Sequence, residues 1–137
     1  MDAELLLMAF QAVSVDFTLK TVNDGTEVLA YLSGEGKYSD RAQSTRLPSL
    51  LLLDMRMPRM DGFQVLAWLQ SQRDFRKLPV IVIGASMSSA SMKRACKCGA
   101  RSVLSKMNDF KEFMEELKRL IDSYLPVSSS HNAERVE

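Results

Sequence analysis

Four consecutive leucines, Leu50–Leu53, end on Asp54, with Pro48 before them and Pro58 after. The prolines leave room for a short element only. A short, uninterrupted apolar run between turn signals fits a strand buried on both faces, the kind that forms the middle of a parallel sheet. Asp54 then stands at the carboxyl end of a central strand, the edge where open α/β sheets bind ligands. From this stretch alone the carboxylate has two readings. It is either a turn or helix-capping group or a nucleophile or metal ligand. Just beyond it, Asp61-Gly62-Phe63-Gln64 has the pattern of a capping box that opens a helix.

The remaining chain alternates between the two periodicities. Residues Asp2 to Val13 show a broad apolar face without Gly or Pro and predict a helix. Phe17–Val22 alternates like a strand. Asn23-Asp24-Gly25 is a turn, after which Asp24 and Glu27 can cap a helix carrying Val28, Leu29 and Leu32. Gly34 to Arg46 is polar and charged, a surface loop. Phe63 to Gln72 predicts a helix with Val65, Leu66 and Leu69 inward, and Pro79–Ile83 a second buried, β-branched strand. After serine-rich Ser86–Ser91 comes a short helix, with Met92, Ala95 and Cys96 inward, that Gly99 terminates. Ser102–Ser105 is a third short strand, ending at Lys106. Asn108 or Asp109 caps a last amphipathic helix with Phe110, Phe113, Met114, Leu117, Leu120, Ile121 and Tyr124 on its apolar face, which Pro126 stops. The order predicts an α/β three-layer sandwich around a parallel sheet. Its single domain spans residues 1–126, and residues 127–137 form a polar, disordered tail.

Composition narrows the function classes. The length of 137 residues suits one domain, and an apolar share of 46% permits a substantial core. A net charge of +1 argues against strong attraction to nucleic acid or a membrane. No apolar run reaches the length of a membrane span, and the start has no basic signal-peptide region. Cys96 and Cys98 read as reduced thiols of a cytoplasmic protein. The single histidine, His131, lies in the polar tail, so no histidine metal cluster or histidine-based triad is available.

The segment LLLLDMRMPRMDGF resembles the phosphoacceptor segment of the receiver domains of two-component response regulators, with Asp54, Pro58, Asp61 and Gly62 all at the family's spacing. The resemblance extends to about Leu125. It is nearest in style to single-domain receivers associated with phytochrome-type histidine kinases, which carry a similar long, charged loop before this strand. It implies a flavodoxin-like receiver fold, Asp54 as phosphoacceptor, Lys106 as phosphate contact, and a Mg²⁺ site that includes Asp54 and the backbone carbonyl of Arg56. It also implies a histidine kinase or phosphotransfer protein as donor and a downstream protein as output partner, met at the surface of the last two helices. No nucleic acid and no membrane are implied.

The same resemblance marks departures. The family's first strand and the acidic pair after it are missing as a block, with Met1 standing where the family's first helix begins. A mis-assigned start or a true truncation would both produce this. Burial of one Val, Leu or Ile is worth roughly 1.5–3 kcal/mol, so the loss of a central strand is comparable to the roughly 5–15 kcal/mol of a whole domain. The expectation is therefore that Phe17–Val22 pairs directly with Leu50–Leu53, or that a second copy fills the gap and makes a strand-exchanged homodimer. Without the acid pair the Mg²⁺ site is weak or vacant; Asp61 is a candidate substitute ligand, against its role as a cap. Gly84 replaces a Thr or Ser whose hydroxyl contacts the phosphate, with Ser86 a partial substitute. Val103 replaces the switch aromatic. Met107 replaces a proline that follows a cis peptide in the family, so a trans bond is expected here.

Three functions compete. The first is a receiver that accepts phosphate on Asp54, with impaired chemistry. The second is a phosphate-independent pseudo-receiver that binds proteins. The third, an aspartate-nucleophile phosphatase, needs a second aspartate where Arg56 stands, so the chain does not read as an enzyme.

Overall fold

The computed structural model describes residues 24–34, 48–55, 60–85, 87–105 and 109–124, together with the backbone of residues 17–22 and 131–136. The elements are β1 (Phe17–Val22), α1 (Gly25–Ser33), β2 (Leu50–Asp54), α2 (Gly62–Ser71), a 3₁₀ turn (Arg73–Phe75), β3 (Val80–Gly84), α3 (Ser89–Lys97), β4 (Ser102–Ser105), α4 (Phe110–Tyr124) and β5 (His131–Val136). The sheet is parallel throughout, in the order β1-β5-β2-β3-β4.

The leucine run forms β2, with Leu50 to Leu53 all at 1% exposure or less. Burial on both faces follows from the layers. Leu51 and Leu53, with Val80 and Val82, meet Val28 and Leu32 of α1, Val65, Leu66 and Leu69 of α2 and Ala95 of α3. Leu50 and Leu52, with Ile81 and Ile83, meet Phe113, Leu117 and Ile121 of α4. Helices on both faces make the three-layer α/β sandwich expected, and period-2 alternation along β2 and β3 feeds the two cores in turn.

The helix ends follow their local chemistry. Asp24 Oδ1 accepts from the Glu27 amide at 3.0 Å and caps α1. Asp109 Oδ1 accepts from the amides of Lys111 at 2.9 Å and Glu112 at 3.2 Å, which selects it over Asn108 as the cap of α4. Gly99 follows α3 at φ +113°, a conformation that favours glycine. Its amide donates to Cys96 O at 3.1 Å and the Ala100 amide to Ala95 O at 3.0 Å, the paired bonds of a Schellman ending.

Several expectations are corrected. Residues 131–136 do not form a disordered tail. They are a strand inside the sheet. Nor does β1 pair with β2. β5 of the same chain lies between them, parallel to both, in place of the direct pairing expected. Two facing strands with a gap leave buried backbone donors and acceptors unpaired, and a backbone ladder satisfies them whatever the side chains. Cys96 is exposed rather than inward, and Phe110 is 40% exposed. Each lies at the margin of its helix's apolar stripe, with Ala95 and Phe113 taking the inward positions. The predicted helix at 2–13, the loop at 35–46 and Met107 lie outside the described residues.

Candidate functional site

β2, β3 and β4 end side by side at their carboxyl edge. Asp54 is in register with Ile83, and Gly84 with Ser105. Parallel strands with short endings thus bring a carboxylate, a bare backbone position and a hydroxyl to one rim. Asp54 is half-buried. Its position is set from both sides: Leu53 is fully buried before it, and after it the Met55 amide donates to Ile83 O at 3.0 Å. The chain returns to the rim at Gly62, whose amide donates to Met55 O at 3.3 Å, and enters α2.

Asp61 is engaged in capping. Its Oδ1 accepts from the Gln64 amide at 2.9 Å, and Gln64 Oε1 accepts from the Asp61 amide at 2.9 Å, so the capping box read from the sequence is formed in full. This weighs against Asp61 as a metal ligand. Asp61→Ala is expected to lower stability by about 0.5–2 kcal/mol, read as a shift in urea midpoint, and to leave any phosphoryl transfer to Asp54 unchanged.

One feature of the rim has no signal in the sequence. Gly84 is buried, and a Cβ placed there would come within 2.5 Å of Met87 Cγ and 2.7 Å of its Sδ. Met87 thus lies over the position where the resembling family has a hydroxyl. The Met87 amide donates to Ser105 Oγ at 3.2 Å, which fixes the returning loop across the ends of β3 and β4. Met87 belongs to a serine-rich stretch without periodicity, so only the folded loop reveals where it lands. Beside the rim, the Arg94 guanidinium of α3 lies 3.8 Å from the Phe63 ring centre and ties α3 to the start of α2.

Of the residues singled out in the sequence, Asp54, Asp61, Gly84 and Val103 are described. Lys106, Arg56 and Ser86 lie outside the described residues. β4 runs to Ser105, the residue before Lys106. Val103 is half-buried and helps line a groove of about 570 Å³ between α3, β4 and α4, with Met92 and Phe113 beneath and Glu112, Glu115, Glu116 and Arg119 at its rim. Glu116 and Arg119 pair with each other on the exposed surface.

A divalent cation at Asp54 would find one described carboxylate, since Asp61 holds its own helix. Mg²⁺ can be held through one or two carboxylates with water completing the shell. Asp54 therefore fits such an ion as one carboxylate ligand. Among the described residues no group of three His, Cys, Asp or Glu side chains converges as a metal site, and no helix is long and apolar enough to cross a membrane.

Comparison with known proteins gives a consistent set. The response regulator receiver domain matches residues 3–118. The probable methanogenesis regulatory protein FilR2 of Methanothrix harundinacea is 31% identical over 122 residues, which cover 85% of this chain and 74% of that protein. Response regulator Rcp1 of Synechocystis is 24% identical over 124 residues, covering 90% and 82%. Among solved structures, Mn²⁺-bound Rcp1 superposes with a TM-score of 0.80 at 23% identity, covering 93% of this chain and 88% of that one. The phosphorylated cyanobacterial phytochrome response regulator RcpA gives 0.79 at 26% identity, covering 92% and 87%. These neighbours share the flavodoxin-like architecture read from the sequence.

Proposed function

Because the chain belongs to the response regulator receiver domain family, and so is a receiver module of two-component signalling, we propose that Asp54 is its phosphoacceptor, served by a weakened phosphate site. The observation that carries this reading is the half-buried Asp54 at the end of a strand buried on both faces, on one rim with the ends of β3 and β4. Receiver domains are in general signalling modules that interact with histidine kinases or phosphotransfer proteins. In the proposed step an Asp54 carboxylate oxygen bonds to phosphorus as the bond from phosphorus to the donor nitrogen breaks, which leaves an acyl phosphate. Two anions approach each other, and a bound Mg²⁺ would offset their repulsion. Lys106, following Ser105, supplies a point charge for a phosphoryl oxygen. RcpA is known in a phosphorylated form and Rcp1 in a Mn²⁺-bound form, which is consistent with this chemistry for relatives.

The weakness arises at Gly84. No hydroxyl is available there, and Met87 covers the position. The downstream contact is assigned to the groove between α3, β4 and α4, where Glu112, Glu115 and Glu116 suit a basic partner segment. The location is taken as the cytoplasm, where two-component relays run. Incubation with acetyl phosphate and Mg²⁺, followed by intact-mass measurement, tests the reading. A phosphoryl adduct on this chain that is absent from Asp54→Asn supports it. No adduct on either leaves the phosphate-independent binding module in its place.

A further inference from the structure

The net charge of +1 conceals a segregation. Residues 73–101 hold seven Lys and Arg and a single acid, Asp74, a local charge of +6, so the remainder of the chain carries −5. The fold gathers most of these cations at the amino edge of the sheet, the edge away from Asp54. Arg73 lies in the 3₁₀ turn after α2, Arg76 and Lys77 in the loop that enters β3, Lys97 at the end of α3 and Arg101 just before β4. Two contacts join these segments. Arg101 Nη2 donates to Lys77 O at 3.2 Å, and a Cβ on Gly99 would come within 2.8 Å of Gln70 Cδ, so the ends of α2 and α3 touch. All seven cationic side chains are exposed, and among the described residues none pairs with a carboxylate. Arg94 and Lys97 complement the dipole of α3 in its last turn. The others stand outside any α-helix, where gathered like charges repel. Two guanidiniums are nevertheless held in place. Arg76 Nε donates to Gln70 O at 3.1 Å, and Arg101 is tied by its one terminal nitrogen. Both keep further N–H donors of a planar fork that matches an oxyanion.

We propose that this end of the sheet, between the ends of α2 and α3, is a second docking surface, and that its partner is a short Asp- and Glu-rich segment of another protein. It lies on the opposite edge from Asp54, which leaves the rim open to a phosphodonor. It also differs in sign from the groove between α3, β4 and α4, whose rim is mostly acidic. The partner class follows from reach. Attraction between exposed charges is largely screened beyond about 8 Å at physiological ionic strength. A short acidic segment therefore feels the +6 cluster alone, whereas a nucleic acid duplex extends past it over a remainder that carries −5. A membrane surface is bound through apolar side chains as well as charge. The large apolar side chain exposed among the described residues, Phe110, lies on α4 instead.

The probe is a fluorescent peptide of about ten residues, roughly 30 Å extended, in which Glu and Asp alternate with Ser. Its control carries Gln and Asn in their place. The full chain is expected to bind the acidic peptide saturably, and the control at least about tenfold more weakly, about 1.4 kcal/mol. Arg73→Glu with Lys97→Glu should weaken binding by about tenfold or more. Neither side chain makes a contact among the described residues, so the melting temperature should barely move. Lys111→Glu with Lys118→Glu removes the same charge from exposed positions of α4, and should change affinity by no more than about twofold. Arg76→Gln with Arg101→Gln, a gentler change at the tethered pair, should weaken binding by about threefold or more. Three outcomes overturn the proposal. One is no saturable binding of the acidic peptide. Another is an equal loss in the Arg73/Lys97 and Lys111/Lys118 variants, which would make net charge the cause. The last is tighter binding, at about 0.15 M salt, of a short DNA duplex or of phosphatidylglycerol vesicles than of the peptide.

Discussion

Asp54→Asn is expected to abolish the phosphoryl adduct completely, since an amide oxygen is too poor a nucleophile to replace a carboxylate. The wild-type adduct itself should form slowly and only with a divalent cation. The quantitative expectation lies at Gly84. Removing one preorganised donor from a site of developing charge typically slows reaction by about 10²–10³. Gly84→Thr alone should recover little, because its Cβ would meet Met87 Cγ at 2.5 Å. Gly84→Thr combined with Met87→Ala opens the space, and should speed adduct formation by about tenfold or more. The loop stays anchored in that pair, because the bond to Ser105 Oγ comes from the backbone amide of residue 87. Adduct rates that do not differ between Gly84→Thr and the double substitution would show that Met87 is no obstacle.

Leu52→Ala is expected to cost about 2–5 kcal/mol of folding stability, a large share of the roughly 5–15 kcal/mol available to a domain. Leu52 is 1% exposed and packs in one cluster with Ile81, Leu104, Phe113 and Leu117, so neither the sheet nor α4 can close over the lost atoms without moving the other. Phe110→Ala is the contrast. At 40% exposure, at the margin of the apolar stripe of α4, it should change stability by no more than about 0.5 kcal/mol. Urea midpoints for the two variants, at unchanged slope, measure both. A Leu52→Ala loss no larger than that of Phe110→Ala would mean that β2 is not covered by α4.

Most of the local structure was legible because its causes are local. The leucine run between Pro48 and Pro58 could only be a short buried element, and it is β2. Asp24, Asp61 and Asp109 each lie where a carboxylate reaches amides two or three residues on, and all three cap. Gly99 stops α3 through its own backbone freedom. Margins were less legible. Cys96 and Phe110 sit at the borders of apolar stripes, where a rotation of the helix by a fraction of a turn decides exposure.

The candidate site divides along the same line. Asp54 at a strand end was readable from pattern and spacing, whereas Gly84 in the place of a hydroxyl was implied only by the family resemblance. That Met87 fills the space above Gly84 was not readable, because a loop's landing point depends on what the far side offers it, here the Ser105 hydroxyl of a strand eighteen residues away. The strand order is the larger case. Nothing in His131–Val136 reads as the centre of a sheet, and its polarity predicts the reverse. Sequence alone determined the caps, the periodicities and the carboxylate at the rim, because those depend on neighbours a few residues apart. The fold decided that a polar segment lies between β1 and β2, because buried amides and carbonyls demand partners and that demand is met only when distant parts of the chain come together.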